Sequence, residues 1–146
     1  MYFKILQHMK HVGCKVQFTD QRNKELMKAY RKAIASIDHI DIKYVAEVVA
    51  NSPCSRFWVS EERAHFVISS MLRGEPVLDT MRPLKREMFL DIYNIVVELR
   101  KSYPNSPLLD LVIIAVHSPT ERFYMRPRCV MQVIYKIKNG FYDKRN

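Results

Sequence analysis

The residues best suited to chemistry in this chain are cations rather than nucleophiles. Lys24, Lys28, Arg31 and Lys32 recur at spacings of 0, 4, 7 and 8, and Arg128, Gln132, Lys136 and Asn139 at 0, 4, 8 and 11, with Arg126 just ahead. On an α-helix each set shares one face. Guanidinium and ammonium groups so placed suit phosphate oxygens, and Arg128, Gln132 and Asn139 can offer paired donors to base edges. Arg122 is a further candidate phosphate contact. Like charges four apart repel by a few tenths of a kcal/mol. Arg126 and Arg128 also stand at a predicted helix N-terminus, where negative side chains are favoured by about 0.3–1 kcal/mol each. A polyanion would relieve both tensions, and a merely solvated basic surface is the reading weighed against it.

The charge distribution points the same way. The 146 residues carry a net charge of +9. Residues 1–32 hold eight Lys/Arg against Asp20 and Glu25, residues 122–146 hold seven against Asp143, and the middle is net negative. Catalytic signatures are missing: there is no Gly-rich phosphate loop, nucleophile elbow or HExxH spacing. His117 beside Ser118 and Glu121 reads as a helix C-terminus rather than an acid–base group. Cys14, Cys54 and Cys129 form no CxxC pair. His8-x-x-His11-x-x-Cys14 comes nearest to a metal cluster, but Gly13 interrupts it. No enzyme, metal or cofactor is expected. The longest apolar run, Leu111 to Val116, is far short of a bilayer span, and no signal-like stretch opens the sequence, so a cytoplasmic protein without a membrane partner is expected.

An internal repeat organises the rest. Shifted by 66 positions, Ser52-Pro53-x-x-Arg56-Phe57-Trp58-Val59 falls on Ser118-Pro119-x-x-Arg122-Phe123-Tyr124-Met125, and Val67-Ile68 on Val133-Ile134. Six identities across 52–68 exceed the roughly one expected by chance. After each motif comes a helical stripe, Ala64, Val67, Ile68, Met71 and Leu72, then Val130, Val133, Ile134 and Ile137, entered through Ser60 as N-cap and Pro127 as first helical residue. Before each lies a shorter helix: Ile42, Val45, Ala46 and Val49 behind Asp41, and the nearly all-apolar Leu108 to Val116 behind Ser106. A longer helix opens each copy, one after Asp20 with Leu26, Ala29, Tyr30, Ala33, Ile34 and Ile37, the other after Pro83 with Phe89, Ile92, Tyr93, Val96 and Val97. Arg73 to Pro83, with Gly74 and Pro76, joins the copies. Tyr2 to Val12 reads as a helix, and Lys15-Val-Gln-Phe18 as a short strand.

The expected fold is therefore all-α: a single domain, 1–146, of two divergent three-helix repeats, 19–72 and 83–139, each one supersecondary unit, with an N-terminal extension that includes the strand. The loop between second and third helices gives each copy a loosened helix-turn-helix character, although Asn51 to Val59 exceeds the usual three or four residues. Phe57-Trp58 and Phe123-Tyr124 read as rings plugging the core beneath these loops, with base stacking as the alternative. Arg56 and Arg122 read as tying their loops to carbonyls at the end of the second helix, with a phosphate contact as the alternative. The string Ser-Pro-x-x-Arg-Phe-Trp-Val-Ser-Glu-Glu-Arg-Ala, within Asp41 to Leu72, resembles segments of small uncharacterised helical proteins of gut Bacteroidetes and their phages or mobile elements. That resemblance implies a bacterial or phage cytoplasmic setting and assigns no catalytic residue.

Two partner classes follow. The basic faces predict nucleic acid, duplex DNA above all, bound by a regulatory or architectural protein on one continuous positive surface. Phe66, off the apolar stripe of its helix, predicts instead a protein contact, either a homodimer or an assembly component of a phage or mobile element.

Overall fold

In the computed structural model, residues 15–145 are described. Six α-helices and a terminal 3-10 helix make up their regular structure: α1 (Lys15–Ala35), α2 (Ile42–Ala50), α3 (Glu61–Leu72), α4 (Pro83–Ser102), α5 (Leu108–Val116), α6 (Pro127–Lys138) and the 3-10 turn Phe141–Arg145. The fold class is all-α. A shift of 66 carries α2 onto α5 and α3 onto α6 residue for residue.

Local chemistry sets these boundaries. Asp41 caps α2 by accepting from the Lys43 N–H, and Ser60 caps α3 by accepting from the Arg63 N–H. Pro83 and Pro127 open α4 and α6, where a missing N–H leaves nothing unpaired. Gly74 and Gly140 follow α3 and α6 at φ of +78° and +71°, a left-handed closure that side chains with a Cβ resist. Two expectations fail. Lys15–Phe18 belongs to α1 and not to a strand, so Asp20 lies inside that helix instead of capping it. Pro107, not Ser106, occupies the cap position of α5, because its carbonyl already accepts the first helical bond, from Leu111 at 3.3 Å. The expected helix Tyr2 to Val12 and the group His8, His11 and Cys14 fall outside the described residues.

The sequence repeats are not the packing units. The third helices are exchanged: α6 of the second copy packs on α1 and α2, while α3 of the first packs on α4 and α5. One core gathers Leu26, Val45, Val49, Phe123, Val130 and Ile134, and the other Phe57, Val67, Ile68, Phe89, Ile92 and Val112. Burying each such side chain contributes about 1.5–3 kcal/mol. A contiguous apolar stripe specifies that a helix is covered, but not by which partner, so the exchange is invisible to periodicity.

The Ser-Pro-x-x-Arg-Phe loops form the crossing. Ser52 and Ser118 each donate from Oγ to the carbonyl four residues back, Val48 at 2.7 Å and Ile114 at 2.8 Å, closing α2 and α5. Cys54 and Thr120, equivalent under the shift, exchange both backbone hydrogen bonds, at 2.9 and 3.0 Å. The Phe57 N–H reaches the Val116 carbonyl at 2.9 Å, and the Phe123 N–H the equivalent Ala50 carbonyl at 3.0 Å. Each Phe thus enters the other copy's core. Phe57 stacks on Tyr124, and Phe123 on Trp58. These reciprocal contacts relate the loops by a local two-fold.

Candidate nucleic-acid interface

Three of the motif's polar side chains are committed to this crossing. Arg56, only 1% exposed, donates not to the end of α2 but to its own loop, through the Phe57 and Val59 carbonyls at 2.9 and 2.7 Å, and lies over the rings of Phe18 and Trp58. Burial pulls its pKa down from the ordinary arginine value, with Glu61 and Glu25 opposing the fall. Arg122 is half-buried over the Tyr124 ring and pairs with Glu87 at 3.0 Å and Asp91 at 3.9 Å. Two carboxylates already meet its charge, which leaves it less free for a phosphate than the cations of α1 and α6. Tyr124, held at φ +56°, hydrogen-bonds Asp91 through its hydroxyl. Burial first, and then that carboxylate, hold the phenol above its ordinary pKa, so it stays a donor. Ser52, Arg56, Phe57, Trp58, Ser118, Phe123 and Tyr124 thus make contacts that hold the crossing together, while Pro53 and Pro119 are exposed.

The other cations are differently placed. Arg126, Arg128, Gln132, Lys136 and Asn139 are all exposed on α6, as are Lys24, Lys28, Arg31 and Lys32 on α1. Among the described residues, none of the seven Lys/Arg in these sets has an ion-pair partner within 4.0 Å. Arg126 is the N-cap of α6 and supplies no capping bond, so the first-turn N–H groups face outward beside two guanidiniums.

The two basic stripes meet only in part. Lys24 and Arg31 border a cleft shared with Ile137 and Tyr142, at the C-terminal end of α6, in which Asp20 and Asp143 also stand. Lys138 reaches the Tyr30 hydroxyl of α1 at 2.8 Å. Lys28 and Lys32 line a different cleft, against Ser52, Pro53 and Glu25. Arg128 lies about 14 Å along α6 from Ile137 in the Lys24–Arg31 cleft, at 1.5 Å per residue. The cations that α6 itself gathers are therefore Arg126, Arg128, Lys136 and Lys138.

Between α2 and α6 runs an open groove of about 960 Å³ whose apolar surface comes from Ile42, Ala46, Met131 and Tyr135. Lys43, Arg128, Lys136 and Lys138 stand along it, with Glu47 as its acid. Tyr135 is 69% exposed and, at 0, 4, 7 and 11 with Arg128, Gln132 and Asn139, completes the outward stripe of α6. Tyr135 is neither a cation nor an amide, so it stands apart from the residues that type and spacing single out on this helix. Its position off the apolar stripe was the available signal, and its counterpart in the first copy is Ser69, so the repeat gave no second instance.

Phe66 on α3 is 56% exposed, with Arg63 over its ring at 5.7 Å. Among the described residues no cluster of three or more metal-ligating side chains occurs, and no helix is long and apolar enough to cross a membrane. No protein family, curated protein or solved structure matches the chain.

Proposed function

We propose that this is a small cytoplasmic nucleic-acid-binding protein, regulatory or architectural rather than catalytic, that takes phosphates on the outward face of α6. The observation that carries the reading is the set of exposed, unpaired cations on that helix. Arg126 and Arg128 stand at an uncapped N-terminus, and Lys136 follows two turns on, so α6 presents cations that no carboxylate among the described residues pairs within 4.0 Å. Gln132 and Asn139 on the same face add hydrogen-bond donors and acceptors.

The test is a binding series against labelled DNA at rising salt. Four α6 cations on four phosphates give a logarithmic salt slope of about 3 to 4, and so about 60- to 250-fold weaker binding between 50 and 200 mM salt. No binding at the low-salt end would refute the reading. A second reading, a protein-interaction or assembly module of a phage or mobile element, is favoured by Phe66: a benzyl group 56% exposed on α3 suits a protein contact better than water.

A further inference from the structure

We propose that the α2–α6 groove takes a single strand of nucleic acid, with a base stacked on Tyr135 and the backbone held by the cations beside it. The inference rests on the nucleic-acid reading above and specifies the form of the ligand. A duplex presents phosphates and groove edges while its base faces stay within the stack. It would satisfy the cations of α6 yet leave the apolar half of the site without a partner. That half is substantial. Ile42 is 62% exposed and Tyr135 69% exposed, and both line one groove with Met131 and Ala46. Among the described residues the Tyr135 ring packs on no other aromatic ring, and its hydroxyl has no hydrogen-bond partner.

An unpaired strand offers both chemistries at once. Its base faces stack on aromatic side chains whatever the sequence, while its phosphates follow a positive groove. Arg128 stands two turns before Tyr135 on the same face of the helix, and Lys136 follows it directly with its ammonium 5.0 Å from the Phe141 ring centroid, so Arg128 is the cation placed to hold a phosphate along the face that carries the ring. Lys43 of α2 and Lys138 complete the positive lining against the single carboxylate of Glu47. An acidic amphipathic peptide would also match charge and apolarity. The strand is favoured because the most exposed apolar side chain of the groove is an aromatic ring, Tyr135, and four cations line it against the one carboxylate of Glu47.

The experiment measures the anisotropy of a labelled oligothymidine of about 12 nucleotides and of a duplex of the same length, in low salt, with the full chain and two variants. Tighter binding of the single strand is expected. Tyr135→Ala should weaken that binding about 5- to 150-fold, as loss of one stacked base does, while leaving the duplex affinity unchanged. Tyr135→Phe keeps the ring and should retain it. Because Tyr135 is exposed, both variants should keep the parent helical circular dichroism. Equal affinity for the two forms, or no effect of Tyr135→Ala, overturns this inference while leaving salt-dependent nucleic-acid binding in place. Absence of binding to either form overturns both. Displacement of the strand by polyglutamate as readily as by unlabelled oligothymidine also overturns it, since the groove would then read charge alone.

Discussion

Replacing Phe57 by Ala should destabilise the whole molecule, including the core that Phe57 does not enter. Phe57 is 2% exposed and sits among Val67, Ile68, Phe89 and Val112 in the core of α3, α4 and α5. Truncating a buried Phe costs about 3–5 kcal/mol, the lost stack on Tyr124 being part of the difference. For a chain of this size, at about 3 °C per kcal/mol, the melting temperature should fall by roughly 10–15 °C. The chain's one tryptophan makes a reporter for the opposite core, because Trp58 stacks on Phe123 among α1, α2 and α6. Since exchanged helices and the Cys54–Thr120 bridge join the cores, Trp58 fluorescence and far-ultraviolet circular dichroism should lose signal in one coincident transition, displaced together. Phe123→Ala should produce the same displacement by circular dichroism. A biphasic melt of Phe57→Ala, with the Trp58 midpoint left at its parent value, would refute the reasoning that the exchange makes one cooperative unit.

Burial, joined more weakly by the charge of Glu25, pushes the Cys54 thiol up to about 11 from 9.0. The folded form therefore binds more protons than the unfolded one between those values, and stability should fall as pH rises from 9 through 11, a slope that Cys54→Ala should reduce in denaturant titrations. At pH 8, mass-spectrometric mapping should find Cys54 resistant to iodoacetamide until denaturant is added, with Cys129, which is only partly buried, reacting earlier. Ser60→Ala should cost about 1 kcal/mol by loss of the bond to the Arg63 N–H, whereas Ser106→Ala should lie within about 0.5 kcal/mol of the parent in the same unfolding measurement, because Ser106 caps nothing. If α3 forms a protein contact, light scattering should find a dimer that Phe66→Ala weakens, and a monomer at every accessible concentration would remove the homodimer.

Much of the helical framework was legible because its signals are local. Asp41 and Ser60 cap, Pro83 and Pro127 open, and the stripes of α2, α3 and α6 have period 3.6, while α5, apolar on nearly all sides, was legible only through its alignment with α2. The start of α1 was not legible: Lys15-Val-Gln-Phe18 alternates as a strand would, and only contacts distant in sequence decide such short segments. The crossing was hidden for another reason. Phe57 and Phe123 announce burial by type, but the core that receives each is fixed by the pairing of Cys54 with Thr120, 66 residues away. Arg122 illustrates the limit for sites. Its sequence neighbours suggested an available cation, while Glu87 and Asp91, which occupy it, lie more than 30 residues earlier on α4. Exposure of α6's basic face was readable because it required only one helix.

Charge reversal on α6 separates binding from folding. Arg126→Glu with Arg128→Glu places two carboxylates at the helix N-terminus, which the dipole favours by about 0.3–1 kcal/mol each, so the double variant should melt at or slightly above the parent temperature. Its affinity for labelled nucleic acid in low salt, compared with the parent at equal helical content, is the decisive quantity. Loss of measurable binding with the fold intact is the predicted result. Parent affinity in the folded double variant would contradict the assignment of phosphate recognition to α6.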